Sequence, residues 1–216
     1  MAYSDWSFIV SNGNSQHLAK PYGNDFAAPI TGSGDYCREL RNQMIMYASG
    51  SQFIDVGREY AVRIQALVKG SATLFVNAGE TAYGFSVNNG YQLTAYPYYW
   101  TSGIEMSTPL NGNSGLNSIT DGTIPFPSNN WNSLRLTVYP ISPTEDRIIG
   151  EVEQGIGSGT WLKTFTNQNN TSITLDRVVS APSYSNRRSG VTTGTDGTGY
   201  FDKLSISLAL APVAIP

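Results

Sequence analysis

From Tyr36 onward, apolar and polar residues alternate with a period of two. Residues 60–69 set Val62, Ile64, Ala66 and Val68 against Arg63, Gln65 and Lys69, the pattern of a strand with one face in a core. Gly70-Ser71 punctuates this run, and a second apolar segment, 73–77, follows. The segments 83–87 and 91–96 flank Asn88-Asn89-Gly90. Asn and Gly accept positive φ, so this stretch predicts a hairpin. Residues 131–139 and 147–153 predict another strand pair, joined through 140–146, and 189–193 and 200–207 predict the closing strands. The stretch 35–48 places Leu40, Met44 and Tyr47 near helical spacing, but its strand-rich surroundings favour strand. Residues 101–130 read as a loop rich in Gly and Asn. Strands recurring every ~10–15 residues with turn signals between them predict an all-β, two-sheet antiparallel sandwich.

The two ends depart from this pattern. Residues 1–35 interleave Gly, Asn, Pro and Ser clusters with the short apolar run Trp6, Phe8, Ile9 and Val10. This predicts an irregular N-terminal arm containing one short strand. Residues 36–208 form the predicted sandwich domain, and 209–216 an uncharged apolar tail carrying Val213 and Ile215.

Three pieces of the later sequence resemble the concanavalin A-like (laminin G-like) jelly roll of lectins and glucanases. The first is the predicted hairpin at 82–95. The second is Trp131-Asn-Ser-Leu-Arg-Leu-Thr-Val followed by Asp146-Arg-Ile-Ile-Gly-Glu-Val. The third is Arg188-Ser-Gly-Val-Thr-Thr-Gly followed by Gly199-Tyr-Phe-Asp-Lys-Leu-Ser-Ile. The resemblance covers about 36–208 and implies a concanavalin A-like sandwich, a fold that hosts many functions and fixes none.

Composition narrows the function. The chain has 216 residues with 13 Lys+Arg and 16 Asp+Glu, a net charge of −3 and 13% charged residues, against roughly 25% in an average domain. There is no basic cluster to grip nucleic acid phosphates. The longest apolar stretch, 208–215, is broken by proline and far shorter than the ~20 residues of a spanning helix, so no membrane partner is expected. The one cysteine, Cys37, rules out an internal disulfide and a cysteine-based zinc site. The N-terminus lacks a basic segment followed by an apolar one, so synthesis in the cytoplasm is the expectation.

Candidate chemistry is sparse. The single histidine, His17, falls in the arm, 20 residues from Cys37, and nothing in the sequence orients the two as base and nucleophile. Glu151 and Glu153 lie two apart on a predicted strand, so their Cα atoms are roughly 7 Å apart on one face. That spacing is permissive for a glycosidase pair, but the resembled glucanases carry a Glu-x-Asp-x-(x)-Glu strand. Here Glu151-Val-Glu153-Gln-Gly lacks the third acid. Asp121, Asp196 and Asp202 are scattered, without the spacing of a calcium loop; no cofactor is expected, with calcium left open. Tyr91, Tyr96, Tyr98, Tyr99 and Trp100 form a dense aromatic group beside Asn88 and Asn89, with Trp131 and Trp161 adding two rings. Such a group suits glycan stacking or a protein interface.

The arm, the apolar tail and the weakly charged Gly/Asn/Ser/Thr loops are similar to those of bacteriophage virion proteins such as capsid decoration proteins, head fibres and tail components. This resemblance implies a non-enzymatic virion structural protein, homo-oligomeric, that contacts other virion subunits through Trp6, Phe8, Ile9, Val10, Val213 and Ile215. The alternatives are a carbohydrate-binding module for host surface polysaccharide, using the aromatic group at 91–100, and a glycoside hydrolase using Glu151 and Glu153.

Overall fold

The computed structural model describes residues 6–12, 15–18, 26–27, 36–41, 44–48, 58–81, 84–97, 102–109, 116–118, 124–125, 131–166, 170–182, 185–193 and 197–210. For the strands before Leu40, for Tyr96 and for 116–118 and 124–125, only the backbone is described. The strands in chain order are β1 (Trp6–Asn12), β2 (Ser15–Leu18), β3 (Phe26–Ala27), β4 (Tyr36–Arg41), β5 (Met44–Ala48), β6 (Tyr60–Gly70), β7 (Ala72–Thr81), β8 (Gly84–Phe85), β9 (Tyr91–Pro97) and β10 (Ser102–Pro109). They continue with β11 (Leu116–Ser118), β12 (Ile124–Pro125), β13 (Asn132–Ser142), β14 (Glu145–Glu153), β15 (Trp161–Leu162), β16 (Thr164–Thr166), β17 (Ser172–Thr174), β18 (Asp176–Ser180), β19 (Ser185–Thr192) and β20 (Thr198–Leu210).

These strands make the all-β sandwich that the period-two pattern predicts. The first sheet runs β11-β10-β9-β7-β19-β5-β1-β2, with β12 beside β10 and β8 beside β7. The second runs β15-β14-β13-β6-β20-β4-β3, with β18 beside β14, and β16-β17 form a separate ribbon. The pairings are antiparallel throughout, from β1–β2 to β20–β6. The arrangement is jelly-roll-like.

The core lies between the inner faces. Val62, Ile64, Ala66 and Val68 of β6 meet Leu134, Leu136 and Val138 of β13 and Ile148 of β14. Opposite them stand Leu74, Val76, Tyr91, Leu93, Ile104, Met106, Met46 and Val191 from the first sheet. Burying a Val, Leu or Ile side chain in such a layer stabilises by about 1.5–3 kcal/mol, and the alternation in sequence is the record of this layer. Gly190 marks a tight spot in the first sheet. A Cβ there would lie 2.1 Å from the Met46 carbonyl oxygen and 2.7 Å from the Tyr47 Cα.

Three expectations are corrected, the first being that 101–130, expected as a loop, carries strands β10, β11 and β12. Within 1–35 the structure places three strands, β1, β2 and β3, rather than one; β1 is bonded along β5 from Trp6↔Ala48 to Val10↔Met44. The predicted hairpin around 88–90 also does not form. β8 folds back on β7 through Glu80↔Phe85, and β9 pairs with β7 itself, from Ala72↔Ala95 to Val76↔Tyr91. Residues Val87–Asn89 form a 3-10 turn capped by the Ser86 hydroxyl. The turn's polar groups are spent on structure: the Asn89 amide donates to the Gly79 carbonyl at 3.2 Å, and Gln92 Nε2 donates to the Val87 carbonyl at 2.9 Å. Asn88-Asn-Gly90 therefore serves a turn between two different neighbours of β7. The stretch 35–48 forms strands β4 and β5, as expected.

The two sheets differ on their outer faces. Outside the first sheet, Thr73, Gln92 and Thr94 are buried, and the Thr73 and Thr94 hydroxyls are 3.0 Å apart. A second apolar cluster of Ile45, Tyr47, Phe75, Phe85 and Val87 lies there too, under the Arg188 guanidinium. The outer face of the second sheet is instead half-exposed and polar.

Candidate functional site

The same alternation that buries Val62, Ile64 and Val68 turns Arg63 and Gln65 outward, and that of β13 turns Arg135, Thr137 and Tyr139 outward. Register then sets these residues in rows across four strands. One row is Ser207, Arg63, Thr137 and Ile149, on β20, β6, β13 and β14. The next is Ser205, Gln65, Arg135 and Glu151 on the same strands. The face is thus a platform of hydroxyls, an amide and guanidinium groups.

One side of the platform is fixed by a stack of three residues. Arg135 donates to both carboxylate oxygens of Glu151, from Nε at 2.5 Å and Nη2 at 2.8 Å. Its guanidinium carbon sits 4.1 Å from the centre of the Trp161 ring. Planar guanidinium groups match a carboxylate bidentately and stack on aromatic faces, so the indole, the arginine and the glutamate hold one another in place.

Glu153, two residues on, faces the loop 154–160. Gly155, Gly157 and Gly159 there all have φ near +80° (80, 81 and 74°), a region only glycine enters without strain. This winding turns backbone amides toward the acid, and Gly159 N donates to Glu153 Oε1 at 2.8 Å. Burial pushes the Glu153 carboxyl up. The Gly159 and Gly157 amides, the Ser133 hydroxyl and the Arg135 charge outweigh that and hold it below its ordinary value.

At the other end of the platform, Ala61, Arg63, Thr137, Tyr139, Ser207 and Ala209 line an open pocket of about 110 Å³. Arg63 Nε donates to Thr137 Oγ1 at 3.0 Å. Beyond Tyr139 the ladder continues to Arg147, which donates to both oxygens of Asp176 at 2.8 Å. The Arg147 hydrogen bonds, against some opposing burial and with help from Lys163, bring the Asp176 carboxyl down to about 2.

The candidate residues fall as follows. Tyr91, expected at a glycan or protein contact, is wholly buried in the core. Its hydroxyl donates to Asp146 Oδ2 at 2.6 Å, and Arg58 lies 2.7 Å from Oδ1 of the same buried carboxylate. That ring is therefore a tie between the sheets and not a contact residue. Tyr96 lies on β9, described by its backbone alone, while Tyr98, Tyr99, Trp100, Val213 and Ile215 lie outside the described residues. Trp6, Phe8, Ile9 and Val10 fall on β1, where they belong to a strand of the first sheet.

Glu151 and Glu153 do share a face, as their spacing predicts. Both are already engaged, however, and an acid catalyst needs a raised pKa, whereas Glu153 is lowered. Asp202 accepts from its own neighbour, Lys203 N, at 2.7 Å in a bulge of β20. Asp121 and Asp196 lie outside the described residues. Among the described residues, no three His, Cys, Asp or Glu side chains converge as metal ligands. Arg63, Arg135, Thr137, Tyr139 and Ser207 carry no motif that marks them as site residues in the sequence. The alternation put Arg63 on an outer face, but only strand register shows what stands beside it.

No protein-family model and no curated protein sequence matches the chain. Solved structures with a similar fold include a xylan β-1,4-xylosidase from Bacillus halodurans C-125. That likeness has a TM-score of 0.50 and 10% identity, covering 79% of this chain and 32% of that one. The chain thus spans about a third of the xylosidase it matches. Alginate lyase Aly36B (TM-score 0.43, 11% identity, 83% of each chain) is also similar. So is an alginate lyase from Alteromonas sp. 272 (TM-score 0.36, 6% identity, 89% of this chain and 83% of that one).

The xylosidase likeness establishes the sandwich fold. The expectation of a non-enzymatic protein is corrected: the sandwich is shared with a chain named as a xylan β-1,4-xylosidase, so the fold does not set this chain apart from enzymes. Nothing in the fold or in the likenesses points to a virion.

Proposed function

We propose that this chain is a glycan-binding sandwich of the concanavalin A-like kind, which takes a saccharide chain across the outer face of its second sheet. The observation that carries this reading is the platform itself. Arg63, Gln65, Arg135, Ser205 and Ser207 set donors and acceptors in adjacent rows, with Thr137 buried and bonded to Arg63 and Trp161 and Tyr139 toward the edges. Sugars offer hydroxyls to the former and C–H faces to the latter. The fold shared with a xylan β-1,4-xylosidase supports a glycan-related role and makes xylo-oligosaccharides the first probe.

The test is binding of a neutral oligosaccharide panel led by xylohexaose, followed by isothermal titration. Newly formed reducing ends are measured in the same samples, so binding and cleavage are read together. Replacing Trp161 by Ala removes one stacking ring and the support of Arg135, and binding falls about tenfold or more. Binding unchanged in Trp161→Ala and in Tyr139→Ala would remove this face from the function.

A further inference from the structure

Among the described residues, Arg63 on the platform is a half-buried guanidinium with no carboxylate partner. Arg58 is matched by Asp146, Arg135 by Glu151 and Arg188 by Glu80. Arg63, among the described residues, has its Nε bonded to the neutral Thr137 hydroxyl and no acidic partner. A guanidinium carries five N–H donors, so most of its capacity is directed elsewhere. The carboxylates closest along the rows are taken: Glu151 by Arg135, and Glu153 by glycine amides. The next charge beyond Tyr139 is Arg147, already committed to Asp176.

Resting on the glycan-binding reading above, we propose that the Arg63 pocket receives an anionic substituent of the bound glycan, a carboxylate or a sulfate ester. The pocket's volume of about 110 Å³ equals the share of a few water molecules in the liquid, enough for such a group. Ala61 and Ala209 form apolar walls, while Ser207 and Tyr139 contribute hydroxyls. Apolar walls thin the competing water, so a charge-assisted bond inside is stronger than one on an open surface. A planar fork facing such a cavity fits either anion bidentately, whereas a neutral sugar leaves the charge unanswered.

The probes are matched pairs that share a backbone and differ in charge: tetragalacturonate against its methyl ester, and a sulfated galactan tetrasaccharide against its desulfated form. With the full-length protein, titration calorimetry should show at least one charged member binding about tenfold or more tighter than its neutral partner. That advantage should shrink as salt rises. Which pair shows it identifies the carboxylate or the sulfate. Arg63→Gln should bring the two members of that pair to equal affinity, and Arg63→Lys should restore part of the difference.

A melting curve of Arg63→Gln that overlays the native one confirms that the fold is kept; the salt dependence of the native protein tests the charge independently of any variant. Equal binding of charged and neutral members, or binding of none of the four probes, overturns the anion site. The neutral xylo-oligosaccharide titration decides the glycan-binding reading separately.

Discussion

Removing the Tyr91 hydroxyl tests whether the sandwich depends on a polar tie through its core. Tyr91 projects from β9 of the first sheet and donates to Asp146 Oδ2, on β14 of the second, at 2.6 Å. Asp146 is 1% exposed, and its other oxygen is 2.7 Å from Arg58, which is 21% exposed. Arg58 also donates to the Ser142 and Glu145 carbonyls at 2.5 and 2.7 Å. Tyr91→Phe keeps the ring and deletes one hydrogen bond to a buried charge, worth about 1.5–3 kcal/mol. For a chain of this size a loss of 1 kcal/mol lowers Tm by about 2–4 °C, so melting should fall by roughly 3–12 °C. Asp146→Ala should cost more, about 3–5 kcal/mol, since it leaves Arg58 without its counter-charge. The partial exposure of Arg58 draws this toward the lower end.

The same tie predicts a response to alkali. Burial, then the Asp146 carboxylate, hold the Tyr91 hydroxyl well above the ordinary tyrosine range. A folded pKa above the unfolded value, about 10, means that the unfolded chain releases this proton first. Its contribution is fully present below about pH 10 and is lost as pH rises beyond it. Urea unfolding followed by tryptophan fluorescence, at pH 8 and at pH 11, measures both effects. Tyr91→Phe should be less stable than the native protein at pH 8 and show a shallower loss between the two pH values. A Tyr91→Phe stability within about 0.5 kcal/mol of native at pH 8, the range of an ordinary surface change, would refute the tie.

Other outcomes follow from single contacts. Gly190→Ala would set a methyl group 2.1 Å from a backbone oxygen and 2.9 Å from Phe75 Cζ; a loss of about 3 kcal/mol or more, or failure to accumulate as soluble protein, is expected. Asp176 is depressed to about 2, chiefly by Arg147, so its stabilisation is complete above the unfolded value near 3.9 and is lost as pH falls toward 2. Because Arg147 and Lys163 are 46% and 42% exposed, screening limits this to about 1 kcal/mol, and Asp176→Asn should flatten the urea midpoint between pH 4 and pH 2. Glu153→Gln should loosen the 154–160 loop, read as faster amide exchange at Gly157 and Gly159, with a change in global stability of about 1 kcal/mol or less.

Much of the sandwich is legible in the sequence because burial on one face forces alternation, and the runs at 60–69, 131–139 and 147–153 carry it plainly. What alternation does not encode is which strand lies next to which. Asn88-Asn-Gly90 has the composition of a hairpin loop, yet β9 bonds to β7 and β8 is a short return between them. The choice is made by distant contacts: Asn89 and Gln92 find buried carbonyls, and Tyr91 finds Asp146, 55 residues away. The same long-range tie explains why the aromatic group at 91–100 could not be sorted locally. Tyrosine is equally suited to a wet groove and to a dry core that supplies one hydrogen-bond partner.

The acids and arginines show the same limit from the opposite side. Glu151 and Glu153 are conspicuous in sequence because two carboxylates so close suggest chemistry. Register gives Glu151 to Arg135 and the glycine winding gives Glu153 its amides, so both are engaged and the Glu153 carboxyl is held below its ordinary value, not raised as a proton donor needs. Arg63 is inconspicuous, one polar residue in an amphipathic strand. Across the ladder, though, its neighbours are Thr137 and Ser207, neither of which can balance a charge. Arg58, Arg135 and Arg188 are paired with carboxylates, while Arg63 faces a pocket with a neutral partner, which is costly unless something outside the chain completes it. On this face it is the unmatched charge, more than the matched acids, that points toward a ligand.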